Sequence, residues 1–146
     1  MHLNVVCSDF DRSLAFYTEV VGATPVLTFD SGDRGSDFLG AMGIEGGTEH
    51  RGAMLCLGDE TRGPYIDLLE WKVPGDSNAR HARDVGVPRI AILVDDIDES
   101  YEQVKDRGGE PMGPPYDLTT GPYGVRAFMF PDPDGFLVEF CQFTRR

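Results

Sequence analysis

Two stretches of the chain carry the same alternation of apolar and polar positions. His2-Leu3-Asn4-Val5-Val6-Cys7-Ser8-Asp9-Phe10-Asp11-Arg12-Ser13 lies on Arg89-Ile90-Ala91-Ile92-Leu93-Val94-Asp95-Asp96-Ile97-Asp98-Glu99-Ser100 with a constant offset of 87 residues. Asp9 then meets Asp96, Asp11 meets Asp98, Ser13 meets Ser100 and Gly22 meets Gly109. Each stretch reads as a short β-rich run that leads into a helix. In the first copy, Asp9 or Asp11 caps the helix start, and Leu14, Tyr17 and Val21 share one face. Gly22 suits the left-handed position at the helix end. In the second, Asp95 or Asp96 caps, Ile97, Tyr101 and Val104 form the stripe, and Gly108-Gly109 stops the helix.

Three strand candidates follow each helix. They are 24–29, 53–57 and 65–71 in the first copy, then 109–112 (weakly), 125–130 and 136–143 in the second. Each copy therefore reads β-α-β-β-β, an α+β pattern. Two such units predict two small sheets that pair into a curved, half-open barrel, with a helix on each outer face and a concave inner face. We read residues 1–146 as a single domain, with repeat 1 at 1–76, a polar linker at 77–87 and repeat 2 at 88–146. The first copy is the longer, mostly through the Gly-, Asp- and Glu-rich stretch 30–51. This is expected to be a long loop with a short helix at 37–42, whose Phe38 and Met42 close over a ligand. Residues 116–123 are expected to form a second closing loop, and Asp132-Pro133-Asp134-Gly135 a tight turn.

Composition narrows the function classes. The 146 residues hold 40% hydrophobic and 26% charged side chains, enough for a core in one compact domain. Thirteen Lys and Arg against 25 Asp and Glu leave a net charge of −12. Such a surface repels phosphate backbones and anionic lipid, which argues against nucleic-acid and membrane partners. No apolar run approaches the roughly 20 residues of a membrane span. The opening Met1-His2-Leu3-Asn4 has no basic, apolar leader, so a cytoplasmic protein is expected. Cys7, Cys56 and Cys141 form no C-x-x-C pair and read as buried, reduced thiols. His50 and His81 sit in polar segments and read as solvated.

Two carboxylates stand out. Glu70 follows Leu68-Leu69 and precedes Trp71, and Glu139 lies between Val138 and Phe140. A buried lone carboxylate costs several kcal/mol, so each needs a partner. Arg89 is the obvious cation, as a structural ion pair or as an anion contact.

Taken together, these segments resemble the vicinal-oxygen-chelate superfamily, which includes glyoxalase I, extradiol dioxygenases, methylmalonyl-CoA epimerase, and fosfomycin- and bleomycin-resistance proteins. The resemblance rests on His2 opening a strand before Ser8-Asp9-Phe10-Asp11-Arg12-Ser13-Leu14-Ala15-Phe16-Tyr17, and on Asp67-Leu68-Leu69-Glu70-Trp71. In the second half it rests on 89–98 and on Phe130-Pro131-Asp132-Pro133-Asp134-Gly135-Phe136-Leu137-Val138-Glu139. It implies one metal ligand from the first and one from the last strand of each copy, at His2, Glu70, Arg89 and Glu139. His2, Glu70 and Glu139 suit one divalent ion of Mn, Fe, Ni or Zn. Arg89 has no lone pair to offer, so no metal is expected if it occupies the site.

Two readings stay open. In one, the resemblance implies a metal-assisted lyase, isomerase or epimerase acting on an oxyanion-bearing organic substrate, with Glu70 or Glu139 as the catalytic base and Arg89 on the substrate anion. In the other, a metal-free protein binds or sequesters an organic ligand, as drug-resistance members do. A dioxygenase fits less well, because the resemblance would then call for a second histidine at position 89. Alternation from each site position places Asn4 and Val6, Leu68 and Ile66, Ala91 and Leu93, and Leu137 on the ligand wall. Arg126 is a second candidate anion contact. The resemblance also implies a homodimer.

Overall fold

Asp9 and Asp96, matched by the repeat, both cap helices. Asp9 accepts a hydrogen bond from the Arg12 amide, and Asp96 accepts from the amides of Asp98 and Glu99. The computed structural model describes residues 2–30, 49–58, 63–73, 75, 86–87, 89–120 and 123–145. The chain divides into two compact units, Met1–Ser77 and Asn78–Arg146. The expected helix at 37–42 with Phe38 and Met42, His81, and the linker apart from residues 86–87 lie outside the described residues.

The first unit runs β1 (His2–Val6), α1 (Phe10–Ala15), a wide π turn (Phe16–Val20), β2 (Thr24–Asp30), β3 (His50–Cys56) and β4 (Tyr65–Trp71). The second runs β5 (Arg89–Leu93), α2 (Ile97–Asp106), β6 (Tyr116–Thr120), β7 (Tyr123–Pro131) and β8 (Leu137–Arg145). Both sheets are open and four-stranded, with the same topology: β1-β4-β3-β2 and β5-β8-β7-β6. In each, the first and last strands run parallel and the other pairs are antiparallel. Each unit is thus the expected β-α-β-β-β.

One face of each sheet is dry. In the first unit Val5, Ala53, Leu55, Ile66 and Leu68 are buried on the α1 side, together with Phe10, Tyr17 and Val20 of the helical segment. In the second, Ile97 and Val104 of α2 pack with Phe128, Phe130, Val138 and Phe140. The Tyr101 and Phe128 rings meet edge to face at 5.2 Å, as do Phe130 and Phe140 at 5.1 Å.

Four expectations need correction. The buried stripe of the first helix is Phe10, Ser13, Tyr17 and Val20, with Leu14 and Val21 half-buried. The π turn adds one residue to this helix. The left-handed glycines are Gly22 and Gly108, as expected, the second lying one residue closer to its cap. Residues 109–112 form no strand, and 116–123 is not a closing loop. Pro111, Pro114 and Pro115 withhold backbone donors, so the ladder starts at Tyr116 and runs to Thr120 opposite Tyr123. His50 is not solvated: it opens β3, buried, with its ring 4.8 Å from Trp71. The Asp132 turn forms as expected, its carboxylate accepting from the amides of Asp134 and Phe136.

Gly52 is the tightest point of the first sheet. A methyl group there would sit 2.5 Å from the Leu68 carbonyl oxygen and 2.6 Å from the Phe29 ring. Gly52→Ala is therefore expected to lower stability by about 2–3 kcal/mol in urea denaturation, the cost of overpacking against backbone. An unchanged midpoint would contradict this packing.

Candidate functional site

The parallel pairing in each unit decides which side chains share a face, because strand side chains alternate with a period of two. Between β1 and β4, His2 lies opposite Tyr65, Asn4 opposite Asp67 and Val6 opposite Leu69. The Asn4 Nδ2 donates to Asp67 Oδ2 at 3.3 Å. Met54 of β3 also lies opposite Asp67. His2, Asn4 and Asp67 therefore share the face turned away from α1.

Glu70 is on the other face, which corrects the expectation that it joins His2. Its Oε1 accepts from the Phe10 amide at 3.3 Å, and its Oε2 accepts from Arg51 Nε at 2.5 Å. Arg51 continues to Asp11 at 3.2 Å, and its guanidinium lies 5.0 Å from the centre of the Phe10 ring. The hydrogen bond it donates to Glu70 is the largest cause holding the Arg51 guanidinium above its usual range. Glu70 thus fastens the start of α1 to β4. Leu68 and Ile66 share its side and are fully buried in the core, so they line no open wall.

Asp67 is the residue that sequence reasoning missed. The second unit shows why it is the right partner. There Ala91 lies opposite Glu139, and Met129 lies opposite Glu139 from the other side. Asn4 and Ala91 are equivalent in the repeat, so Asp67 is the counterpart of Glu139. The signal in the chain is the triplet Ile66-Asp67-Leu68 set against Val138-Glu139-Phe140. Each is an acid between two apolar residues.

In the second unit Arg89 and Glu139 do come together, with Arg89 Nε 2.6 Å from Glu139 Oε2. The Glu139 side chain is only 9% exposed, whereas that of Arg89 is 44% exposed. The Tyr116 side chain of β6 shares this face and feels the charge of the same carboxylate. Burial, and then the negative charge of Glu139, push the Tyr116 phenol above its usual range, so at neutral pH it remains a donor. Ala91, Leu93 and Leu137 lie on this face as expected. So do Leu118 and Phe143, and with Leu93 they leave three large apolar side chains exposed around the polar group.

Arg126 is not part of it. Its neighbour Ala127 pairs with Tyr116 and Cys141 on the Glu139 face, so Arg126 points to the α2 side. It holds Asp98 of α2 through contacts of 2.6 and 3.0 Å, and Asp117 at 3.4 Å. The hydrogen bond from Arg126 lowers the Asp98 pKa.

The chemistry of the donors tests the fit to a divalent ion. His2 and Asp67 are competent ligands, and so is a free Glu139 carboxylate. The second unit does not fit. Arg89 cannot ligate, and a divalent ion on Glu139 would stand about 5 Å from its guanidinium, a repulsion of roughly 6–7 kcal/mol at an effective dielectric of 20. Among the described residues, no group of three or more His, Cys, Asp or Glu is placed to hold a metal. No helix among them is long and apolar enough to cross a membrane.

Comparison with known proteins adds the following. The family model of the Glyoxalase/Bleomycin resistance protein/Dioxygenase superfamily matches residues 1–140. A 2-epi-5-epi-valiolone epimerase from Actinomyces sp is 30% identical over 142 residues, covering 94% of this chain and 75% of the relative. A probable lactoylglutathione lyase from Vibrio cholerae serotype O1 is 29% identical over 145 residues, covering 97% and 88%. The crystal structure of a glyoxalase family protein from Bacillus cereus matches with a TM-score of 0.75 at 18% identity, over 97% of this chain and 91% of that one. That last likeness speaks to the fold alone.

If Glu70 fastens a helix, a double-mutant cycle of Glu70→Gln and Arg51→Met should give a coupling of about 1 kcal/mol in denaturant unfolding. Both side chains are partly exposed, which limits the value. Additive effects would remove the ion pair from the account.

Proposed function

The chain belongs to the Glyoxalase/Bleomycin resistance protein/Dioxygenase superfamily, and from that premise we propose that it is an enzyme of the lyase or epimerase type acting on a small organic substrate. The relatives named as an epimerase and a lactoylglutathione lyase support this class of reaction. The observation that carries the reading is the Glu139 carboxylate. It lies at the base of an open, apolar sheet face, held by Arg89, with Tyr116 on the same face.

Epimerisation and this kind of lyase chemistry share one requirement. A proton must leave a carbon next to a carbonyl group, and the negative charge that develops on oxygen must be stabilised. A carboxylate held in one orientation is a suitable base, and a positioned general base contributes typically 10²–10⁴-fold. The N–H groups of Arg89 and the hydroxyl of Tyr116 are donors for the developing oxyanion. Protonation of the opposite face of the same carbon by solvent inverts it, and return of the proton from Glu139 to a neighbouring atom isomerises the substrate. Leu93, Leu118 and Phe143 offer contact area to the substrate's apolar part.

The same exposed apolar face favours a second reading, a ligand-binding or drug-sequestering protein that performs no proton transfer.

One experiment separates the two. In D₂O, α-hydroxy ketones and the hemithioacetals of 2-oxoaldehydes with glutathione are incubated with the protein, and deuterium uptake at carbon is followed by NMR. Exchange is expected for at least one compound class, and Glu139→Gln should slow it by 10²-fold or more, on the order of a lost general base. Saturable binding without exchange would favour the sequestering role. Full exchange in Glu139→Gln would remove Glu139 as the base.

A further inference from the structure

The two units solve one electrostatic problem in different ways. Asp67 and Glu139 are equivalent acids on central strands, and both are buried. In the first unit, the neighbouring strand supplies an imidazole at His2 and the Asn4 amide that hydrogen-bonds Asp67. In the second, the matching positions are Arg89 and Ala91. The imidazole has become a permanent cation, and the amide has become a methyl group.

We infer that Arg89 is a resident cation standing where a metal ligand would be, and that with Tyr116 it makes the Glu139 face a metal-independent binding site for a planar oxyanion on an apolar body. The inference deepens the proposed function and rests on that reading for the identity of the face. Arg89 reaches Glu139 through Nε, 2.6 Å from the carboxylate oxygen. A guanidinium has five N–H donors, and the side chain is half-exposed, so donors remain for a second oxyanion. Ala91, directly opposite Glu139, leaves the space that the amide takes in the first unit. The Tyr116 hydroxyl adds a neutral donor on the same face. Around them stand Leu93, Leu118 and Phe143, all exposed, which select for an apolar body rather than for a small hydrophilic anion.

Arg89 carries fixed charge at any working pH, so the site needs no metal to attract an oxyanion. The same charge bars a divalent ion from Glu139. The inference therefore has two readouts, and neither involves turnover.

Wild type and Arg89→His, both untagged, are dialysed in turn against Zn²⁺, Ni²⁺ and Mn²⁺, and metal content is measured by plasma mass spectrometry. Wild type is expected to retain far less than an equimolar amount of any of them. Arg89→His, which puts a neutral donor beside Glu139, should retain an equimolar amount of at least one. In parallel, phenylpyruvate is titrated into metal-stripped wild type and Arg89→Gln by NMR, with circular dichroism confirming that each variant is folded. Wild type should bind saturably, and Arg89→Gln should bind about tenfold or more weakly, the loss of a charge-assisted contact. Equimolar metal in wild type, no metal in a folded Arg89→His, or equal phenylpyruvate binding by wild type and Arg89→Gln would each overturn the inference. None of these results depends on whether the protein turns over a substrate, so they fail separately from the proposed reaction.

Discussion

The parallel pairing of the first and last strands in each unit governs everything that follows. A parallel pair needs a crossover, and the capped helices α1 and α2 supply it, each covering one face of its sheet. The covered face then fills with apolar side chains, and strand alternation turns the intervening residues to the open face. A step of one residue along β4 or β8 exchanges the helix-covered face for the other. Asp67 and Glu70 are three residues apart, an odd number, so one turns away from α1 and the other fastens it. No feature of the two carboxylates themselves makes that distinction. The hydrogen-bonded register makes it.

That shared frame makes the differences between the halves informative. A carboxylate that loses its water must recover the lost interactions from protein groups. Asp67 recovers part of them from the Asn4 amide, and Glu139 from the Arg89 guanidinium. The first arrangement keeps neutral ligands beside the acid, whereas the second places a permanent positive charge there. The second unit therefore carries its own electrophile, surrounded by exposed apolar side chains. The family's scaffold supports this exchange because the residues at stake point away from the core.

Much of this was legible in the chain. The constant offset of 87 residues located both first strands and both helices, and it paired the caps Asp9 and Asp96, which the structure bears out. Glu139 and Arg89 stood out because a buried acid and a nearby cation need each other. The misreadings have definite causes. Glu70 and Asp67 both adjoin leucines, and composition cannot count strand parity without the register. The stripe of the first helix lies one face over from the expected one, and in so short a segment a three-four spacing fits either face. The strand β6 was hidden by the prolines that precede it. Arg126 looked like a free cation only because its partner Asp98 lies 28 residues away on α2.

The central claim is that Glu139 belongs to Arg89 rather than to a metal ion. A crystal structure of the wild-type protein grown in saturating Ni²⁺, with an anomalous difference map at the nickel edge, tests it most directly. The account predicts no anomalous peak at Glu139, and Arg89 still hydrogen-bonded to its carboxylate. A nickel ion on Glu139 with Arg89 swung away would contradict it.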